Sequence, residues 1–200
     1  MTEKILLREY LEFSNRCDES LLTEDERQIN KNGGLILAGI LQRADSVNQN
    51  GRVYPLEILR REVENYKKLV KENRALGATD HPDSSVVELA TASHLVTEIE
   101  MRGKDVFGKV KVLSTPMGNI IKALIADGVK IGISSRALGS VKNHNGNSIV
   151  GDDLQLLCFD FVSDPSCHGA FMIKEGREYQ NKMFTRADRL NRALNDLIKG

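Results

Sequence analysis

Hydrophobic positions along this 200-residue chain fall into two periods, one near 3.6 and one of two. A compact apolar run from Gly34 to Leu41 predicts a strand, and Asn48-Gln49-Asn50-Gly51 predicts a turn by its Asn and Gly content. Pro55 stands where a first helical residue belongs. Leu56, Leu59, Val63, Tyr66, Leu69 and Val70 then recur at helical spacing, which predicts an amphipathic helix over 55–75. From Val86 to Met101 the period shortens to two, through Val87, Leu89, Leu95, Ile99 and Met101. Arg102-Gly103-Lys104-Asp105 turns the chain into a second β-branched stretch, Val106 to Leu113, so the two arms read as a long hairpin. Thr115-Pro116 opens a second helix, Met117 to Ala126, stopped by Asp127-Gly128. Strands over 130–140 and 149–163 flank a turn at 143–147. A last helical segment over 178–199 carries Leu190, Ala193, Leu194, Leu197 and Ile198.

Long non-local strands with few helices predict a β-rich α+β domain, drawn as a small closed or partly closed antiparallel β-barrel flanked by helices. Strands and helices do not alternate and no Gly-rich phosphate loop follows a strand, so a doubly wound nucleotide-binding fold fits poorly. Residues 1–33, polar and ending in Asn-Lys-Asn-Gly-Gly, read as a loosely attached N-terminal arm with one short helix. The core domain is expected over 34–175, with a C-terminal helical extension over 176–200.

Composition narrows the partners. The 28 basic residues balance 28 acidic ones, so no global field favours nucleic acid, an anionic membrane or an acidic substrate. No apolar run is long enough to span a bilayer and the first residues lack a signal-peptide stretch, so a soluble intracellular chain is expected. Cys17, Cys158 and Cys167 are odd in number and without Cys-x-x-Cys spacing, which fits a reducing compartment and argues against a disulfide framework or a cysteine zinc site.

The polar interruption of a buried strand is the first chemical signal. In Lys130-Ile131-Gly132-Ile133-Ser134-Ser135-Arg136, alternation puts Ile131 and Ile133 on one face and Gly132, Ser134 and Arg136 on the other. Gly132 leaves room beside the Ser134 hydroxyl. Ser135 points to the isoleucine face. An edge strand with polar residues facing water would show the same pattern.

A serine nucleophile needs a base oriented by a third group. Among four histidines, His144 falls in an Asn-rich turn, His168 in Ser-Cys-His-Gly, and His94 in a strand where packing is the ordinary role. His81 precedes Pro82, which holds its backbone extended at the entry to the hairpin, although a His-Pro loop can also be merely structural. Asp160 is a carboxylate inside an apolar strand. Left unpaired it would be destabilising by several kcal/mol, so a histidine, backbone amides or an arginine must meet it. Asp80, His81 and Asp83, and Cys167 with His168, resemble metal ligands but lack zinc-site spacing, and no metal is expected.

Taken in order, Asn48-x-Asn50-Gly51-Arg52-x-Tyr54-Pro55, Gly77-x-x-x-His81-Pro82, Gly132-x-Ser134-Ser135-Arg136-x-x-Gly139-Ser140 and Asp160-x-Val162-x-x-Pro165-Ser166 resemble the prohead core proteases of large tailed phages, which are themselves similar in fold to herpesvirus assemblins. The likeness runs from about Gly34 to Ala170. It implies that 34–175 is a herpesvirus-protease-like domain. The activity implied is that of a serine endopeptidase, acting inside the assembling prohead in the host cytoplasm on scaffold, core and capsid proteins and on itself.

By the same resemblance Ser134 is the nucleophile, His81 its base and Asp160 the residue that orients the histidine. Arg136, Ser135 and Gly132 support the oxyanion and the site, with a salt bridge from Arg136 to Asp160 as the other role open to that arginine. No cofactor, nucleic acid or membrane is implied, and coupling of activity to homo-oligomerisation is one route to silence before assembly. A catalytically silent core or scaffold protein is the alternative. Cleavage in such enzymes follows Glu in Leu-x-Glu or Ile-x-Glu, which points to Leu22-Thr23-Glu24 and Ile173-Lys174-Glu175 as self-processing sites.

Overall fold

The computed structural model describes residues 5–11, 21–82, 84–144, 146–163 and 171–172. In chain order the elements are β1 (Ile5–Leu11), α1 (Glu24–Lys31), β2 (Ile36–Arg43), β3 (Arg52–Val53), α2 (Leu56–Lys71), β4 (Leu76–Ala78) and β5 (Ala92–Arg102). They continue as β6 (Asp105–Val112), α3 (Pro116–Ala126), β7 (Ile131–Gly139), β8 (Val141–His144), β9 (Asn147–Val150), β10 (Gln155–Val162) and β11 (Phe171–Met172).

The strands form three sheets. One runs β1-β7-β10 with β11 also on β7, the second runs β2-β6-β5-β4, and β3-β9-β8 make a small third. The fold is therefore β-rich α+β as the periodicities predict. The closed barrel is not formed among the described residues: between the two larger sheets runs a single isolated bridge, Thr79 to Phe161, extended by the Asp80 N–H donating to the Phe161 carbonyl at 2.7 Å. A physical reason lies in β4, whose three residues are too few to make a full ladder with β10.

Each helix forms for a local reason. Thr23 caps α1 in a reciprocal box with Glu26, and Thr115 caps α3 with Pro116 in its first turn. In α2 the stripe Leu59, Val63 and Tyr66 is buried against a core that includes Val96, Ile133, Phe159 and Phe161. At ~1.5–3 kcal/mol for each large apolar side chain, that stripe outweighs any propensity term.

Several expectations change. The arm is not loose where it is described: Ile5–Leu11 is a strand on β7, and Leu22 is buried with Ile36, Ala38 and Phe107. Lys109 also ties α1 down, meeting Glu26 at 3.1 Å and Glu98 at 3.0 Å. The hairpin's first arm begins at Ala92 rather than Val86, and Val86 and Leu89 are exposed. The single strand expected over 149–163 is divided by the turn at Gly151–Asp153 into β9 and β10. The helix expected over 178–199 lies outside the described residues.

Candidate active site

Two strands supply the first pair of groups. In the antiparallel ladder of β7 and β10, Ser134 and Asp160 are directly opposed, and Arg136 is opposed to Cys158. Opposed residues share a face, with Cβ atoms about 4.5–5.5 Å apart. Hence Ser134, Arg136, Cys158 and Asp160 crowd one side of the sheet. The other side is apolar, with Ile131, Ile133 and Ala137 in the core and Ser135 donating its hydroxyl to Gln42 at 2.8 Å.

His81 arrives from β4. Gly77 lets β4 approach β10, since a Cβ there would lie 2.0 Å from the Phe159 carbonyl oxygen and 2.2 Å from His94 Nε2. After Ala78, the chain turns at Asp80, whose φ of 59° is tolerable for a short polar side chain. Pro82 then keeps His81 extended. The imidazole ends between the strand pair, Nδ1 at 2.8 Å from Asp160 Oδ2 and Nε2 at 2.5 Å from Ser134 Oγ.

Asp160 and Ser134 are wholly buried, and the His81 side chain is nearly so. Burial by itself pushes the Asp160 carboxyl up. The bond from His81, the Ala78 N–H donated to Oδ1 at 2.9 Å and the charge of Arg136 together outweigh it and hold the carboxyl below its ordinary range. Its anionic form is thus the stable one. With Asp160 ionised, Nδ1 of His81 carries the proton and Nε2 faces the serine as an acceptor.

Of the two roles open to Arg136, its contacts are those of the salt bridge to Asp160. Its guanidinium is fully buried, with Nε 3.0 Å from Asp160 Oδ2 and Nη2 3.2 Å from Oδ1, and Nη1 donates to the Ser84 carbonyl. The physical reason is that a buried cation beside a buried carboxylate is stable only when paired. Nε also lies 3.2 Å from Cys158 Sγ, and burial followed by the Asp160 charge raises the Cys158 thiol far above its usual range. That thiol is inert as a nucleophile.

Ser135 bonds on the face opposite Ser134, and Gly132 is paired with Val162 and Phe171. His94, expected as a packed residue, lies on the Phe161 ring, donates Nε2–H to the Phe159 carbonyl at 2.9 Å and takes the Ser93 hydroxyl on Nδ1 at 2.8 Å. Burial pushes its pKa down to about 4. His144 ends β8 in the small third sheet, away from this cluster. Among the described residues no group of three His, Cys, Asp or Glu is placed to hold a metal, and Asp83, Cys167 and His168 lie outside them.

Sequence reasoning did not find the Ala78 N–H, the Ser84 carbonyl or Gln42. None has a composition signal, since each acts through a backbone atom or a distant pairing. The proposed self-processing triplet Leu22-Thr23-Glu24 also reads differently in three dimensions. Leu22 is buried and Glu24 begins α1, so the bond after Glu24 sits in a capped first turn instead of an extended loop. Ile173-Lys174-Glu175 lies outside the described residues.

A family model described as prohead core protein serine protease matches residues 10–181. The chain is 33% identical over 186 residues to a prohead core protein protease of Enterobacteria phage T4, covering 90% of this chain and 88% of that protein. The solved structure of the bacteriophage T4 capsid assembly protease superposes with a TM-score of 0.69 at 30% identity, covering 80% of this chain and 98% of that one.

Proposed function

Because the chain belongs to the prohead core protein serine protease family, we propose that it is a capsid-maturation serine endopeptidase, acting inside the phage prohead on scaffold, core and capsid proteins and on copies of itself. Ser134 Oγ attacks the scissile carbonyl, and its proton passes to Nε2 of His81. The tetrahedral adduct collapses as the histidine returns that proton to the departing amine, breaking the C–N bond. Water, deprotonated by the same nitrogen, then frees the acyl group. Asp160 keeps Nδ1–H in place and balances the imidazolium without itself taking the proton.

The single observation that supports this reading is the unbroken chain Ser134 Oγ, His81 Nε2, His81 Nδ1, Asp160 Oδ2, with links of 2.5 and 2.8 Å. It also weighs against a catalytically silent core protein, which has no use for a base bonded to a buried hydroxyl. In this reading Arg136 is a positioning residue for Asp160. The two larger sheets, joined at Thr79 and Phe161 and facing each other across the core, fit a herpesvirus-protease-like frame.

The experiment is co-expression with a scaffold protein of the same phage, with a fluorophosphonate label on the purified chain. Scaffold cleavage and labelling are expected for wild type and Ser135→Ala, and neither for Ser134→Ala. Labelling that survives Ser134→Ala and disappears in Ser135→Ala refutes the assignment.

A further inference from the structure

Ser134 sits on a strand with two hydrogen-bonding edges. One edge of β7 carries β10 and with it Asp160, opposite Ser134. Along the other edge lies β1, antiparallel, in a continuous register from Ile5 opposite Gly139 to Leu11 opposite Ile133, so that Tyr10 is opposite Ser134. A peptide presented to a nucleophile on a strand enters most readily as an added strand, since main-chain bonds then fix it whatever its side chains are. Here that place is already taken by the chain's own N-terminal segment.

The turn between β2 and β3 is built to hold it. Asn48 Oδ1 accepts the N–H groups of Asn50 at 3.0 Å and Arg52 at 2.9 Å, the Asn48 N–H donates to the Arg52 carbonyl at 2.9 Å, and Gly51 takes a φ of 69°. So shaped, the turn aims two side-chain donors at one backbone oxygen: Asn50 Nδ2 at 3.0 Å and Arg52 Nη1 at 3.3 Å from the Arg8 carbonyl. Two donors fixed on a main-chain carbonyl do not read side chains, and would hold any strand in that register. This accounts for Asn48-x-Asn50-Gly51-Arg52, which the bond-breaking step does not use. From the other flank, Arg8 Nη2 reaches the carbonyl of Pro82, the residue after His81, at 3.4 Å.

We propose that the edge of β7 beside Ser134 is a binding site for one extended peptide strand, gripped at a backbone carbonyl by Asn50 and Arg52, and that Ile5–Leu11 occupies it in competition with substrate. This rests on the serine-endopeptidase reading for its catalytic consequence, though the binding site itself does not. The hold is modest. Of the four β1 side chains described, Ile5 to Arg8, Leu7 is fully buried and Ile5 is exposed. One buried leucine contributes ~1.5–3 kcal/mol, and ladder bonds are exchanged one for one when another strand enters.

What favours β1 is its tether. A segment joined through the intervening residues to the anchored Leu22 competes at an effective concentration on the order of millimolar. Dilute substrate loses that competition, whereas substrate packed at comparable density inside an assembling shell displaces the strand. The enzyme is thereby quiet in solution and active where its substrates are concentrated.

The test locks the strand. Leu6 and Leu138 are directly opposed and neither is fully buried, so Leu6→Cys with Leu138→Cys, in a chain carrying Cys17→Ser and Cys167→Ser, staples β1 to β7 on oxidation. In a Ser134→Ala background, a fluorescein-labelled peptide of sequence ILLREYL is titrated by anisotropy. Binding at least about tenfold tighter to the reduced chain than to the oxidised one is expected, with dithiothreitol restoring it. The same staple with Ser134 intact should slow peptide cleavage by a similar factor. Equal peptide affinity in the oxidised and reduced forms overturns the proposal. Absence of serine labelling in the reduced enzyme counts against the catalytic reading alone, because the binding comparison involves no chemistry.

Discussion

Replacing Asp160 by Asn changes no volume and removes one charge, and the structure says which bonds must fail. The carboxylate accepts five contacts: Ala78 N–H at 2.9 Å, Arg136 Nη2 at 3.2 Å and the Cys158 thiol at 3.5 Å on Oδ1, His81 Nδ1 at 2.8 Å and Arg136 Nε at 3.0 Å on Oδ2. An amide has one oxygen and one NH2. With its oxygen toward Ala78, the NH2 faces His81 Nδ1 and turns that nitrogen into an acceptor. The proton moves to Nε2, which can no longer take one from Ser134. With the amide reversed, the NH2 opposes the Ala78 N–H and Arg136 Nη2, both donors.

The equivalent change in another Ser-His-Asp enzyme lowers kcat by about 10⁴ through the wrong tautomer, equal to ~5 kcal/mol of barrier. A similar loss in kcat/KM is expected for Asp160→Asn, assayed on a peptide substrate and normalised to folded protein by circular dichroism. Arg136 is left a buried cation without an anion, destabilising by ~3–5 kcal/mol, and for a chain of this size the melting temperature should fall by roughly 6–20 °C. A variant keeping more than about a tenth of the activity would show that Asp160 does not orient His81.

Arg136→Met tests the positioning role through pH. Asp160 has its carboxyl held below the ordinary range in part by this cation, so its ionised form, and the stability it brings, persist above the ordinary carboxylate pKa and disappear as pH falls through the folded value. Without the guanidinium the acid limb of the kcat/KM profile should move to higher pH. An unmoved limb would assign Arg136 a purely structural role. His94→Gln addresses stability instead: burial lowers His94 to about 4, so the unfolded chain binds the extra proton between about 6.5 and 4 and the fold loses ~3 kcal/mol across that interval. Denaturant melts should show this loss in wild type and lack it in His94→Gln, whose amide can still donate to the Phe159 carbonyl. Equal pH slopes in both proteins would refute the neutral buried imidazole.

Where one period persists and one face is buried, the sequence was a good guide. Alternation in Ile131–Arg136 separated Ser134 from Ser135, and the structure puts the Ser135 hydroxyl on Gln42 in the other direction. Less was legible where the answer depends on which strand lies alongside. Ile5-Leu6-Leu7 is a strand signal only to a reader who knows that an edge of β7 awaits it, and the polar residues after it masked the run. The role of Arg136 was undecidable for a similar reason. Residue type and face allow both an oxyanion donor and a carboxylate partner, and the choice is made by Cys158 and Asp160 on a strand distant in the chain. Full closure of the barrel was not legible because strand count says nothing of whether the last seam is bonded.

The site is assembled by two routes of unequal strength. Ser134 and Asp160 are brought together by a long ladder between β7 and β10, extending from Gln155 opposite Leu138 to Val162 opposite Gly132 with one register shift between Leu156 and Cys158. His81 depends on a seam made of one bridge, the Asp80 N–H on Phe161, the His94 Nε2–H on the Phe159 carbonyl and the Ala78 N–H on the carboxylate itself. The carboxylate is therefore part of the seam that delivers its own partner: a charged Asp160 draws in the Ala78 N–H, and with it the turn that carries the imidazole. Neutralising that carboxylate loosens the delivery as well as the tautomer, whereas trimming the Ser134 hydroxyl leaves both intact. Thus the acid sits upstream of the base in building the site, although in the proposed reaction it acts only through it.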